Sequence, residues 1–227
     1  MIRVTENLRK IRNLLAISAV EAERDPDTVK LLAVTKKQPL DRILAAASLG
    51  QQDFGENTVQ EALDKIRATA ASGLTWHFIG HLQSNKTRAV AENFDWVHSI
   101  DKLKVAKRLS QQRPAALPPL NACLQVNIDD EPGKSGVSID ELPGIAAACM
   151  DLPQFRLRGL MCLPRIRHEF EEQRRPFARL RQLADTLRDM GIDTDTLSMG
   201  MSDDYRAAIF EGATIVRIGT AIFGERA

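Results

Sequence analysis

The 227-residue sequence has few of the features that mark membrane, secreted or nucleic-acid-binding proteins. No apolar run is long enough to span a bilayer, and the charged N-terminal stretch MIRVTENLRKIRNLL lacks the apolar segment of a signal peptide. The 31 lysines and arginines nearly balance the 30 acidic residues, so no charge excess favours nucleic acid or an anionic membrane as a partner. These absences predict a cytoplasmic protein.

Cysteine is also scarce, and its placement argues against disulfides and bound metal. Each of the three cysteines lies among apolar residues and none belongs to a CxxC motif, which is typical of buried, reduced thiols. The four histidines show no HExxH or similar spacing, so we expect no metal site. The three cysteines are Cys123, Cys149 and Cys162.

What the sequence does contain is a regular alternation of short apolar segments and helical patterns, with no low-complexity segment or Gly/Ser linker. A helical pattern over residues 4–23 comes first, and a long polar helix over residues 169–190 includes Pro176. Asp101 is the expected N-cap of the helix after the fourth strand. The eight predicted strands lie in the segments KLLAV, QDFGEN, TWHFIG, DWVHSI, NACLQVNI, LRGLMCL, DTLSMG and TIVRIG.

This alternation predicts the fold class. Strands that alternate with helices pair in parallel through right-handed crossovers. Eight such units predict an α/β protein with a single (β/α)8 TIM barrel, preceded by an extra N-terminal helix and forming one domain over residues 1–227. An open doubly wound sheet stays an alternative, because the pattern alone does not establish closure. In a barrel, the side chains that do chemistry follow the C-terminal ends of the strands.

The first strand runs directly into two lysines in the stretch KLLAVTKKQP. Strand alternation places Val34 and Lys36 on one face and Thr35 and Lys37 on the other, without indicating which face lines the interior. A lysine at the tip of a buried strand is either a rim charge that reaches water or an amine held in a site. The residues after the last two strands help to decide between these roles.

Two small-residue segments follow the seventh and eighth strands, where barrels commonly hold phosphate. SMGMSDD begins at Ser198 and feeds a helix for which Ser202 is the expected N-cap, and RIGTAIFG contains Gly219 and Thr220. Free amides at a helix N-terminus bind anions, and glycine lets a phosphate approach the backbone. An amine with an anion cradle suits a ligand that carries an aldehyde and a phosphate, either pyridoxal 5'-phosphate (PLP) or a phosphorylated sugar.

Longer segments resemble the PLP-binding homeostasis proteins of the YggS/PROSC type along nearly the whole chain. The matching segments are LLAVTKKQP, FGENTVQEALDKI, WHFIGHLQSNK, VHSIDK, QVNIDDEPGKSG, RGLMCLP, LSMGMSDDYRAAI and VRIGTAIFGER. The resemblance implies a barrel like the N-terminal domain of alanine racemase, with PLP as its cofactor. It also implies that the turn around Gly200, Met201 and Ser202 holds the phosphate together with Gly219 and Thr220.

The same resemblance selects Lys36, and not Lys37, as the lysine that holds PLP as a Schiff base. The family commonly has serine and threonine where this chain has Thr35 and Gln38, and these changes flank the lysine without removing it. By resemblance, Arg217 faces the pyridine nitrogen of the cofactor. Because a guanidinium cannot accept a proton, this nitrogen would stay unprotonated and the ring would be a weaker electron sink.

Four polar or aromatic residues have less certain roles in the sequence. Asn57 either donates to a ligand oxygen or caps the next helix, and His77 either packs beside the cofactor ring or is a hydrogen-bonded core histidine. His81 is expected to face the barrel mouth, and it and Ser198 are the remaining residues predicted to contact the cofactor. Tyr205, the only tyrosine, is expected to pack on a helix face, which leaves no second base for racemisation.

These interpretations favour a protein of intracellular PLP homeostasis that holds the cofactor and exchanges it with apo PLP-dependent enzymes. We expect it to act as a monomer, because no apolar stripe compels a dimer. We do not expect an enzyme, because the sequence ends just past the eighth strand and offers no second racemase domain. A PLP-dependent enzyme with weak amino-acid racemase activity is the main alternative. A Schiff-base aldolase that acts on a phosphosugar without PLP is the third.

Overall fold

Eight parallel strands pair in chain order, and the last pairs with the first to close a barrel. The computed structural model describes residues 2–224, except for the side chain of Ile2. The strands are β1 Lys30–Val34, β2 Asp53–Glu56, β3 Thr75–Phe78, β4 Trp96–Ile100, β5 Leu120–Val126, β6 Phe155–Cys162, β7 Thr196–Ser198 and β8 Ile215–Ile218. The closed order confirms the predicted barrel and excludes the open sheet.

Helices cover the outside of the barrel between successive strands. Those formed by residues 2–224 are α1 Ile2–Glu21, α2 Leu40–Ala47, α3 Val59–Ala68, α4 Thr87–Asn93, α5 Leu103–Gln112, α6 Leu142–Met150, α7 Phe170–Asp189, α8 Tyr205–Phe210 and α9 Thr220–Phe223. The extra helix α1 packs against α2, α8 and α9, where the first and last strands meet. Within this part of the chain, no helix combines the length and the apolar character needed to cross a bilayer.

The predicted N-cap of α5 is wrong. The helix begins at Leu103, and the residue before it, Lys102, has an extended backbone (φ −149°, ψ 138°) and occupies the N-cap position. The helix therefore starts one residue later than a cap at Asp101 requires. The Asp101 carboxylate lies instead 3.9 Å from the ring of His81, on the loop after β3.

The predicted N-cap of α8 is wrong for a similar reason. The helix begins at Tyr205 and its N-cap position is Asp204, so Ser202 lies in the turn ahead of the helix. The Asp204 carboxylate accepts a 2.6 Å hydrogen bond from the Met201 amide and holds residues 201–204 in this turn. Ser202 therefore belongs to the loop after β7, and its position is set by Asp204.

The two faces of β1 meet different surroundings. Leu31 and Ala33 belong to the main apolar core, together with helix residues such as Leu8 of α1. Fully burying a leucine side chain of this kind stabilises a fold by about 1.5–3 kcal/mol. The alternate residues Val34 and Lys36 line a cavity at the barrel mouth. Strand alternation therefore directs Lys36 towards the barrel interior. The sequence pattern alone did not indicate which face of β1 lies there.

The three cysteines are buried and none forms a disulfide. Burial raises the pKa of Cys123 and Cys162 to about 12 and that of Cys149 to about 11. Thiols with such pKa values stay protonated at neutral pH and are poor nucleophiles. The prediction of buried cysteines is confirmed.

Candidate functional site

The C-terminal ends of the strands surround a cavity of about 710 Å³. Loops that follow β1, β2, β3, β6, β7 and β8 contribute to its wall, at the end of the barrel where the sequence predicted the chemistry. Seven of the ten residues predicted to contact a cofactor lie around this one space. They are Lys36, Asn57, Met201, Ser202, Arg217, Gly219 and Thr220.

Lys36 reaches the cavity because the chain stays extended beyond the end of β1. The Thr35 amide still donates to the Gly55 carbonyl of β2 at 2.9 Å. At Lys37 the backbone enters the left-handed region (φ 58°), and the Lys37 amide donates to the Glu61 carboxylate at 2.5 Å. Lys36 is consequently half-buried at the cavity wall, whereas the side chain of Lys37 is exposed.

A largely buried group of polar and charged side chains holds the backbone directly before Lys36, and we call Thr35, Glu56, Glu61 and Lys65 the Lys65 network. The Lys65 ammonium donates to Glu56 (2.7 Å), to Glu61 (2.6 Å) and to the Thr35 carbonyl (2.7 Å). The Thr35 hydroxyl donates to the same Glu56 oxygen at 2.5 Å. Burial raises the pKa of Glu56 more than Lys65 and Thr35 lower it, so the carboxylate depends on these partners for its charge.

Arg217 lies at the floor of the cavity and is only 4% exposed. Its Nη1 donates to the Ser198 carbonyl at 2.5 Å and to the Ser198 hydroxyl at 2.8 Å, and its Nη2 donates to the Cys162 carbonyl at 2.9 Å. Burial lowers the pKa of Arg217, but a guanidinium in a protein keeps its proton. Ser198 therefore supports Arg217 from below, outside the wall of the cavity.

Two glycines let the loops after β7 and β8 take their places. Gly200 has φ 92°, and a Cβ there would lie 2.7 Å from the Ala208 Cβ, so this turn packs directly against α8. A Cβ at Gly219 would lie 3.0 Å from the Val34 carbonyl oxygen of β1. In α9, the first backbone amide that donates a hydrogen bond within the helix is that of Ile222, and its acceptor is the Gly219 carbonyl. The amides that come before it in the helix therefore have no partner inside the helix.

Asn57 and His81 have different positions relative to the cavity. Asn57 lines the wall, and its Oδ1 is buried without a hydrogen-bond partner among the described residues. The N-cap position of α3 is Thr58, so Asn57 is not the cap. The His81 side chain is 59% exposed, lies 3.2 Å from the Ser135 hydroxyl and is placed outside the cavity wall.

Several wall residues escaped the sequence reasoning. Gln38 directly follows the two lysines, and Asp203 lies in the turn after β7. The position of each in the sequence, next to a strand end, could have indicated that it lines the cavity. Ile79 and Leu163 are apolar residues just past strand ends, where a pattern does not separate a cavity wall from the core. The helix α9 was also missed, because four residues are too few to show a helical period.

A closed parallel barrel with a lysine, an arginine and two small-residue turns at its mouth defines a class of small-molecule-binding barrel. The family model of the alanine racemase N-terminal domain matches residues 3–227, and the chain belongs to this family. The resemblance found in the sequence motifs is thus confirmed at the level of the family.

Individual relatives are similar over nearly their whole length. The chain is 54% identical over 226 residues to the pyridoxal phosphate homeostasis protein of Pseudomonas aeruginosa, covering 100% of this chain and 97% of that protein. It is 50% identical over 231 residues to the protein of the same name from Escherichia coli K12, covering 98% and 97%. Among solved structures, PipY of Synechococcus elongatus with PLP bound has a TM-score of 0.86 at 36% identity, covering 97% of this chain and 100% of PipY.

Proposed function

We propose that this protein binds PLP through Lys36 and takes part in PLP homeostasis by holding the cofactor and handing it to apo enzymes. The observation that carries the proposal is that Lys36, Arg217, Gly219 and Thr220 meet around one cavity. Relatives named pyridoxal phosphate homeostasis protein and the PLP-bound structure of PipY support it.

The residues of the cavity fit the three chemical parts of PLP. An amine for the aldehyde comes from Lys36, and a donor for the ring nitrogen comes from Arg217. The amides that open α9 and the Thr220 hydroxyl suit a phosphate. The side-chain amide of Asn57 has capacity for a further hydrogen bond, as expected where a bound molecule completes the site.

Each side chain has a distinct task in this proposal. PLP supplies a reactive aldehyde and an electron-withdrawing ring when bound. The Lys65 network orients the backbone that presents the Lys36 amine. Arg217 offers donors only, which favours a ring nitrogen without a proton and weakens carbanion chemistry. Tyr205 packs against the apolar core, and the cavity wall within residues 2–224 contains no tyrosine as a second base.

The first test is a spectrum combined with chemical trapping. The purified protein is incubated with PLP, its visible absorption is recorded before and after borohydride, and its peptides are mapped by mass. We expect an absorption band that bleaches and a phosphopyridoxyl group on the peptide that contains Lys36. Lys36→Ala should lose both signals and the adjacent Lys37→Ala should keep both. A wild-type protein without band or adduct would overturn the proposal.

The second test addresses delivery. Loaded protein, freed of unbound PLP, is mixed with an apo PLP-dependent enzyme whose activity is followed with time. We expect activity to appear with wild-type protein and with Lys37→Ala, and not with Lys36→Ala treated in the same way. If PLP remains on Lys36 while the apo enzyme stays inactive, the protein stores PLP and the handing-over step is wrong.

A further inference from the structure

A row of buried polar side chains runs through the barrel from beneath Arg217 to its opposite end. Ser198 Oγ lies 2.8 Å from Arg217 Nη1 and 2.7 Å from His98 Nδ1. His98 Nε2 lies 2.9 Å from His77 Nδ1, and His77 Nε2 lies 3.0 Å from Asp53 Oδ1. We call these five residues the interior relay.

The relay ends in a second cavity. Asp53 begins β2 and lines a space of about 310 Å³ at the N-terminal end of the barrel, where Lys30 also donates to its carboxylate at 3.1 Å. The cavity described above lies at the other end, against Arg217. The relay therefore connects an ion pair at one end of the barrel with the guanidinium that faces the other.

The charges at and within the relay follow from burial and neighbours. Burial lowers the pKa of His98 far below its usual value, and His77 and Arg217 lower it further. Burial also lowers the pKa of His77, although Asp53 opposes this. Burial alone would raise the pKa of Asp53, but His77 and Lys30 together lower it. The relay at neutral pH thus has two neutral imidazoles between a cation and a carboxylate.

Only one arrangement of hydrogens satisfies both ends of the relay. A carboxylate only accepts, so the His77 proton lies on Nε2 and points at Asp53, and His77 Nδ1 accepts from His98 Nε2. His98 Nδ1 then accepts from the Ser198 hydroxyl, whose oxygen accepts from Arg217. Every donor points towards Asp53, and hydrogen bonds aligned in one direction strengthen one another.

Apolar and aromatic groups isolate the relay from water. The ring of Trp96 stacks on His77, with centroids 5.4 Å apart and planes 10° apart, and lies 5.8 Å from His98. The Arg158 guanidinium covers Trp96 at 4.9 Å from the ring centroid. The exposed fraction of both histidines is 0%, so water does not compete for their nitrogens.

We propose that the interior relay positions Arg217 for the cofactor, with Asp53, His77, His98 and Ser198 as positioning residues. This inference rests on the proposed function. Because the Ser198 hydrogen is committed to His98, the lone pairs of its oxygen face Arg217 and fix the direction of Nη1. A guanidinium does not release its proton, so the relay transmits orientation from Asp53 and conducts no proton.

The direct test is the position of the imidazole protons, measured by NMR on protein with 15N-labelled histidine and without PLP. We expect His77 and His98 to carry their protons on Nε2. Asp53→Ala removes the acceptor that holds the His77 proton on Nε2, and we expect His98 then to populate both tautomers although Asp53 does not touch it. The control is Asp195→Ala. Asp195 is a carboxylate at the same end of the barrel as Asp53, but it pairs with Arg158, so its removal should leave the position of the His98 proton unchanged.

The second readout is PLP affinity. Ser198→Ala and Asp53→Ala should each weaken PLP binding roughly tenfold, the lower range for losing partners behind a liganding side chain. The double variant should bind PLP about as tightly as the more affected of the two single variants, because both substitutions interrupt the same relay. Asp53→Asn should retain both the His98 proton position and the affinity, because an amide oxygen can face the two donors Lys30 and His77.

The outcomes separate the relay from the proposed function. A proton on His98 Nδ1 in the wild type, or an Asp53→Ala variant with unchanged His98 and unchanged PLP affinity, would overturn the relay. A wild-type protein that does not bind PLP would defeat the proposed function, while the NMR result would still decide the direction of the relay.

Discussion

Polar groups at the barrel mouth and polar groups just beneath it are arranged in opposite ways. Beneath the cavity, both ring nitrogens of His77 and His98 are taken up by neighbouring side chains. At the cavity wall, Asn57 Oδ1 has no partner within residues 2–224. The two histidines use their hydrogen-bonding capacity on neighbouring side chains, which fixes their geometry, and the wall keeps some for a ligand. Substitutions below should therefore cost stability, and those in the interior relay also PLP affinity through Arg217, whereas substitutions at the wall should cost affinity with little loss of stability.

The largest effect on stability is expected from Lys65→Met. The change leaves Glu56, which is fully buried, without its ammonium partner. Breaking a buried ion pair by removing one partner typically costs about 3–5 kcal/mol of unfolding free energy. Urea unfolding of the purified variant measures this loss.

The matched control for Lys65→Met lies two residues further along α3. Arg67 pairs with Asp64 on the surface, with 69% and 72% of the two side chains exposed. Such exposed pairs contribute about 0–1 kcal/mol, so Arg67→Met should unfold close to the wild type. Equal losses for the two variants would show that burial of the Lys65 network is unimportant.

A smaller effect should appear as a pH dependence of stability at Asp53. Its folded-state pKa is lowered by His77 and Lys30, which outweigh the opposite effect of burial. The resulting stabilisation is present above the unfolded pKa, near 3.9, and disappears as the pH falls through the lower folded value. The gap in unfolding free energy between wild type and Asp53→Asn should therefore be steady at neutral pH and shrink in acid.

Thermal unfolding at a series of pH values measures this gap. Asp64→Asn serves as the control, because its exposed carboxylate should produce a small gap at every pH. A gap for Asp53→Asn that stays constant down to strongly acidic pH would mean that His77 and Lys30 do not stabilise the carboxylate.

The smallest effect on stability is expected at the cavity wall, from Asn57→Ala. Removing a buried acceptor that has no partner leaves no new group unsatisfied, so unfolding should change little. PLP affinity should fall about twofold to thirteenfold, the equivalent of one hydrogen bond worth about 0.5–1.5 kcal/mol. Paired measurements of urea unfolding and PLP titration test both halves. A large stability loss with unchanged PLP affinity would reverse the comparison.

The sequence predicts most of the fold because the strands are short apolar segments with clear helical patterns between them. It narrows the candidate amine to two lysines at the end of the first strand, and the family motif, not strand alternation, selects Lys36 from Lys37. Helix starts were less accurate: Asp101 and Ser202 have the right chemistry for caps, but the backbone at Lys102 and the bond from Met201 to Asp204 move the starts. Local preference was outweighed there by the path of the loop.

The supports of the site were beyond the reach of sequence pattern. Lys65 reads as an ordinary charged residue of an amphipathic helix, and nothing in α3 indicates that Glu56 lies beneath it. His77 was left with two possible roles, and the structure makes it a hydrogen-bonded core histidine. His98 and Ser198 pair across the interior of the closed barrel. Which side chains meet there is set by the strand register and by barrel closure together, and a sequence pattern gives neither.

The interior relay also bears on how the barrel folds. His98 and Ser198 are 100 residues apart in the chain, and Arg217 joins only when β8 is in place. Until β7 brings Ser198 into place, His98 Nδ1 lacks its partner, and an unsatisfied buried polar group costs about 1–3 kcal/mol. A partly closed barrel therefore gains little by burying this imidazole. Closure by the last strands completes the core of the first half, which makes folding cooperative across the whole chain and slow to begin.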